Sequence, residues 1–173
     1  MNEISQASLA NAEGLVPQAV ADYERPLVNY AYSLLKDVEK ARDVVQETFV
    51  KLCQQEPGHV RESLKAWLVT VCRNGALDVL RKDRRMITID STTMENVGCE
   101  SPTPAQSASR KDSHGQALAL LERLPDNQRE VIRLRFQSDL SYREISEITQ
   151  LSESNVGFLL HKGLKQLRAL MSA

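Results

Sequence analysis

Residues 61–85 hold seven Lys/Arg and three Asp/Glu, net +4, with Arg73, Arg81, Lys82, Arg84 and Arg85 towards the end of the stretch. Guanidinium and ammonium groups at this density attract phosphates, and the attraction is salt-sensitive and largely blind to base sequence. Residues 1–60 have the opposite balance, five Lys/Arg and nine Asp/Glu, net −4. Residues 86–115 carry net −2 and residues 116–173 net +1, so the overall charge of −1 conceals the separation. A basic block behind an acidic front implies one face for a polyanion and another for a different partner.

The second constellation lies near the C-terminus. Ser141-Tyr142-Arg143-Glu144 fits a capping box, in which a serine hydroxyl takes an early amide hydrogen and a glutamate reaches back. A helix to about Thr149 should follow, with Ser152 as the next N-cap and a last helix running to the C-terminus. Two helices across so short a break read as a helix-turn-helix. Ile145 and the small Ser146 suit the crossing, Leu151 sits in the turn, and Val156 with Leu159 or Leu160 faces back. Gln150 stands where a turn glycine is usual, so it must adopt or avoid a positive φ. An ordinary helical hairpin would use the same pattern. The first two turns of the last helix, Glu153 to Leu160, carry one acid and no base.

Other chemistries have little to stand on. His59, His114 and His161 are scattered, and the sequence offers no metal cluster, glycine-rich phosphate loop or Ser/His/Asp arrangement. No enzymatic activity, metal or cofactor is expected. Cys53, Cys72 and Cys99 are odd in number and far apart without a CxxC pair, which reads as reduced thiols in a cytoplasmic protein. The polar start MNEISQASLANAEG is not a secretory signal, and no apolar run approaches the length of a membrane span.

Helices must position these residues. Hydrophobic residues are 42% and aromatic residues 5%, so the core is mostly aliphatic. "DYERPLVNYAYSLLKD" puts Leu27, Tyr30, Ala31, Leu34 and Leu35 on one stripe. "VEKARDVVQETFVKLC" does the same with Val38, Ala41, Val45, Phe49 and Leu52, and "SLKAWLVTVCRNGALDVLRKDRR" with Leu64, Leu68, Val71, Cys72, Ala76, Val79 and Leu80. Trp67 falls beside that stripe and is read as core. Residues 86–115 are dense in Ser, Thr, Pro and Gly with no lasting apolar period, a flexible linker by composition. After it, "QALALLERL" is a short helix ending at Leu124-Pro125, and "DNQREVIRLRF" has Val131, Ile132, Leu134 and Phe136 as apolar positions. The expectation is an all-α protein of two small helical domains, residues 1–85 and 116–173, joined by the linker 86–115, the C-terminal one containing the helix-turn-helix.

At this point the residues resemble a family. "LPDNQREVIRLRFQSDLSYREISEITQLSESNV" followed by "LKQLR" is similar to the C-terminal domain of bacterial sigma factors, region 4. "YERPLVNYAYSLL…ARDVVQETFVKL" and "AWLVTVCRNGALDVLRKDRR" are similar to their promoter-melting domain, region 2. Order, spacing and length match the extracytoplasmic-function group of the sigma-70 family, from about Leu15 to Leu170. The resemblance implies a factor that binds core RNA polymerase, at the clamp helices of the largest subunit and the flap of the second-largest, and directs initiation from promoter DNA. An anti-sigma factor is a further candidate partner, and no membrane insertion is implied. A helix-turn-helix regulator acting without polymerase is the alternative, but it leaves the N-terminal motifs unexplained.

The resemblance also assigns residues. The D-x-x-Q-E helix that docks on the polymerase is here Asp43, Gln46 and Glu47, at i, i+3 and i+4 on one face, away from Val45 and Phe49. Arg42 stands where the family often has an acid. The minus-ten element would meet Arg73, Asn74, Arg81, Lys82, Arg84 and Arg85, where the Asn74 amide suits a base edge. A base flipped from that element would enter a pocket in the loop Glu56 to Arg61. Gly58, His59, Val60 and Arg61 there depart from the family's Phe-Arg-Gly pattern. The minus-thirty-five element would meet Ser152, Glu153, Ser154, Asn155, Gly157, Phe158, His161 and Lys162, with Arg143 and Lys165 flanking. The family has Lys or Arg where this chain has Gly157 and Leu159. The helix N-terminus, backbone approach at Gly157 and a Phe158 contact to a thymine methyl are expected to compensate.

Overall fold

The computed structural model describes residues 3–55, 63–90 and 118–172, and the elements among them are α-helices. The chain forms two compact units, Met1–Asp90 and Ser91–Ala173. The loop residues Gly58, His59, Val60 and Arg61, and the linker from residue 91 to 115, lie outside the described residues.

In the first unit, α1 runs Glu3–Leu35, α2 Val38–Cys53 and α3 Leu64–Asp90. The α1 helix begins well before the stripe starting near Asp22, although Pro17 and Pro26 lie inside it and each removes a donor from the ladder. It ends where Lys36 turns to φ 57 and donates its amide to the Tyr32 carbonyl at 2.8 Å. Asp37 then caps α2, its carboxylate accepting from the Glu39 and Lys40 amides. The left-handed residue followed at once by an N-cap turns the chain back within two residues.

Each helix contributes one stripe to the core. Leu27, Tyr30 and Ala31 of α1 meet Ala41, Val45, Phe49 and Leu52 of α2, and Leu68, Cys72 and Ala76 of α3. Val44 and Thr48 join them, whereas Val38, expected in the stripe, is 44% exposed. Thr48 is tolerated inside because its hydroxyl donates to the Val44 carbonyl at 2.8 Å. Trp67, read from sequence as core, is only half-buried; its smaller neighbours Ala66, Leu68 and Val69 fill the interior. Helix α3 continues through Asp90, so residues 86–90 are helical where the linker was expected to begin.

In the second unit a short helical stretch, 118–122, leads through buried Leu121 and Leu124 to α4, Asp126–Phe136. Helices α5, Tyr142–Thr149, and α6, Glu153–Met171, follow. Glu122 ties the entry to α4, accepting from Arg133 at 2.8 Å and from Arg129. Val131, Ile132 and Leu134 are buried as expected, but Phe136, the final residue of α4, is 62% exposed. Leu140, Ile145 and Val156 are fully buried, and Leu159 and Leu160 both face inwards.

Candidate nucleic-acid interface and partner face

The helix-turn-helix is built by side chains that satisfy helix ends. Ser141 and Glu144 form the complete capping box at the start of α5. The helix ends on Gln150 at φ 60 and ψ 25, so glutamine takes the left-handed conformation that a turn glycine adopts without penalty. Its side-chain amide donates to the Glu147 carbonyl at 2.7 Å, one of the groups orphaned at the helix end. The Ser146 hydroxyl donates across the turn to the Leu151 carbonyl. Ser152 caps α6 by accepting from the Asn155 amide at 3.2 Å, so that amide is already engaged.

Along α6, Ser154, Gly157, Phe158, His161, Lys162 and Lys165 recur at helical spacing opposite Val156, Leu159, Leu160 and Gly163. Ser152, Glu153 and Asn155 are exposed at its entry. Leu159 is 6% exposed and belongs to the core, so of the two positions where a base was missed only Gly157 adjoins the outer face. Gly157 is half-buried, and a side-chain carbon there would lie 3.5 Å from Cε2 of the Tyr142 ring, at ordinary contact distance, so the ring borders one side of the position. Phe158 is 59% exposed, and the Lys162 ammonium sits 5.8 Å from its ring centroid. Arg143, expected to flank the helix, is exposed and paired with Glu147 at 3.1 Å.

On α3 the basic block resolves into two stripes. Asn74, Arg81, Lys82 and Arg85 share one face by helical spacing and are exposed. Arg73, half-buried, and Arg84 share an adjacent one. Arg81 is paired with Asp78 at 2.7 Å, a surface contact of little net strength. Lys40 of α2 reaches Asp83 of α3 at 2.8 Å. Donating to that carboxylate raises the Lys40 pKa above its ordinary value.

Asp43, Gln46 and Glu47 are all exposed on α2. Glu47 accepts an ion pair from Lys51 one turn on, at 3.0 Å. Arg42 pairs with Glu39 at 3.2 Å. Between α1 and α2 runs a groove of about 250 Å³ with Val28, Val45 and Phe49 as apolar lining and Glu24, Arg25, Asn29, Arg42 and Gln46 as polar lining. Sequence reasoning missed Arg25 and Asn29. The signal was their spacing, since positions 25, 28 and 29 share a face of α1 beside the buried stripe. Among the described residues no group of His, Cys, Asp and Glu could hold a metal ion, and no helix is long and apolar enough to cross a membrane.

A helical unit with an exposed basic stripe and a second unit with a helix-turn-helix suit a factor that binds DNA. The family profile described as Sigma-70 region 2 matches residues 19–86, and that described as Sigma-70, region 4 matches residues 114–167. The ECF RNA polymerase sigma factor SigM of Bacillus subtilis is 30% identical over 86% of this chain and 90% of its own length. SigX of the same organism, also an ECF RNA polymerase sigma factor, is 30% identical over 86% of this chain and 79% of its own. The fold is shared with CnrH, solved in complex with the cytosolic domain of CnrY (TM-score 0.63, 21% identity, covering 95% of this chain and 94% of that one). It is shared too with the sigma factor RpoE of Bartonella quintana, solved in complex with the anti-sigma factor NepR (TM-score 0.59, 23% identity, covering 100% and 99%). The chain belongs to the sigma-70 family, in its extracytoplasmic-function group. It is a sigma factor, which binds core RNA polymerase and directs transcription initiation at promoter DNA.

Proposed function

We propose that three helices divide this work. The Asp43, Gln46 and Glu47 face of α2 docks on the clamp helices of the polymerase largest subunit. The exposed stripe Asn74, Arg81, Lys82 and Arg85 of α3, with Arg73 and Arg84 beside it, follows the minus-ten element. The outer face of α6, from Ser152 to Lys165, lies in the major groove at the minus-thirty-five element, while the second unit also meets the flap of the second-largest subunit. The observation that supports this division is the exposed basic stripe of α3; on α2, Asp43, Gln46 and Glu47 share an exposed face, although the helix as a whole balances Glu39, Asp43 and Glu47 with Lys40, Arg42 and Lys51. An exposed pair such as Glu47–Lys51 is worth about 0.3–0.5 kcal/mol, so it yields readily to a partner. The protein works in the cytoplasm with the polymerase and performs no reaction of its own. An anti-sigma factor that covers these faces would silence it.

The test is reconstitution with core RNA polymerase and selection from a promoter library. The unchanged protein initiates from specific promoters. Reversing charge with Asp43→Arg and Glu47→Arg lowers affinity for core polymerase at least tenfold while leaving thermal unfolding in place. Unaltered attachment in that variant, or specific DNA binding as a free dimer, would favour a regulator that works without polymerase.

A further inference from the structure

Past Ala76 the third helix leaves the core. Leu77, Val79 and Leu80 are half-buried, and from residue 81 to 86 every residue is exposed except Asp83, which is half-buried. Asp83 stands two residues from Arg81 and two from Arg85, about 200° round the helix from each, so it lies behind the exposed basic stripe. There the Lys40 ammonium of α2 donates to its carboxylate at 2.8 Å, across 43 residues of sequence. Lys40 is itself held in the first turn of α2, because the Asp37 side chain accepts from its backbone amide at 3.1 Å. It also precedes Asp43 by one helical turn and Glu47 by two, at the edge of the face assigned to the polymerase. One ion pair thus joins the first turn of α2 to the outlying turns of α3.

We propose that Lys40 and Asp83 are a positioning pair for promoter opening: from the helix that docks on the polymerase, they aim the basic stripe of α3 at the minus-ten element. The inference rests on the assignment of α2 to the polymerase and of α3 to that element. The two side chains are 44% and 39% exposed, so the pair adds little to folding. Its leverage is on direction. The segment that carries Arg81, Lys82, Arg84 and Arg85 has no buried side chain to fix it, and a tie at Asp83 limits how far it swings relative to α2. Phosphate contacts set the register of a protein on DNA, so they depend on where the charges point as well as on how many there are.

The experiment uses holoenzyme assembled from core polymerase and the full chain, on a promoter selected by the unchanged protein, with a fluorescent base analogue reporting unpairing of the minus-ten element. Lys40→Gln removes a cation and Asp83→Asn removes an anion, so general attraction to DNA moves in opposite directions in the two variants. A positioning pair gives the same direction in both. Opening slows about two- to fivefold, the range set by a surface ion pair, with core-polymerase affinity and thermal unfolding unchanged. Combining Lys40→Glu with Asp83→Lys rebuilds the pair with its charges exchanged and recovers most of the rate. Opposite changes in the two single variants, or no change in either, overturn the proposal. So does a charge exchange that unfolds at the unchanged temperature yet fails to recover opening. A loss of core-polymerase affinity in Lys40→Gln also overturns it, since the ammonium would then belong to the polymerase contact. If Lys82→Gln with Arg85→Gln opens the promoter at the unchanged rate, the assignment of α3 to the minus-ten element fails first, and this inference with it.

Discussion

Adding a methyl group to two glycines of α6 has opposite consequences. At Gly163 a side-chain carbon would sit 2.7 Å from Cδ1 of buried Ile132 and 3.3 Å from the Gln128 Cβ, because α4 and α6 cross there. Gly163→Ala is expected to destabilise by about 1–2 kcal/mol, overpacking outweighing the gain in helix propensity. At Gly157 the nearest atom would be at ordinary contact distance, so Gly157→Ala stabilises by about 0.5–1 kcal/mol. Urea denaturation of the two variants separates these outcomes. The cysteines differ as sharply. Burial pushes the Cys72 thiol up to about 12, whereas Cys53 is exposed. A thiol reagent at neutral pH labels Cys53 quickly and Cys72 only on unfolding, as peptide mass mapping will read. Since the folded pKa lies above the ordinary thiol value of 9.0, this contribution to stability is complete below that pH and declines as pH rises towards 12. Cys72→Ala should flatten that decline.

Element ends in the helix-turn-helix depend on few atoms. Ser141 and Ser152 each satisfy an orphan amide at a helix start. Ser141→Ala and Ser152→Ala should each cost about 1 kcal/mol in chemical denaturation. Gln150→Gly should gain up to about 1 kcal/mol, since relief of the left-handed strain outweighs the exposed amide contact to Glu147. The two caps were legible because serine three residues before a glutamate, or opening a helix, is a local signature. The left-handed Lys36 and Asp139 were not. Lysine gives no signal of φ and aspartate only a weak one, since many aspartates outside the left-handed region look the same in sequence. Exposure of Phe136 was equally hidden, because an apolar residue one turn from a buried stripe looks like its continuation until the helix ends.

At the scale of the whole molecule, a chain of net charge −1 gains no general attraction to DNA, so phosphate binding has to come from distribution. Replacing Lys82 and Arg85 by glutamine should make the salt dependence of promoter binding by holoenzyme shallower by about two counterions, with core-polymerase affinity unaltered. A slope that stays the same would remove the α3 stripe from the DNA contact. The all-helical character, the two units, the capping box and the family were determined by sequence alone, since periodicity, caps and motif order are properties of neighbours along a chain. Tertiary structure decided which side of each helix remains available. Leu159 went to the core, Trp67 only partly so, and Gly157 came to lie beside Tyr142, a residue fifteen positions earlier. Such pairings follow from how helices cross, and the crossing minimises the free energy of a whole core rather than of any one segment.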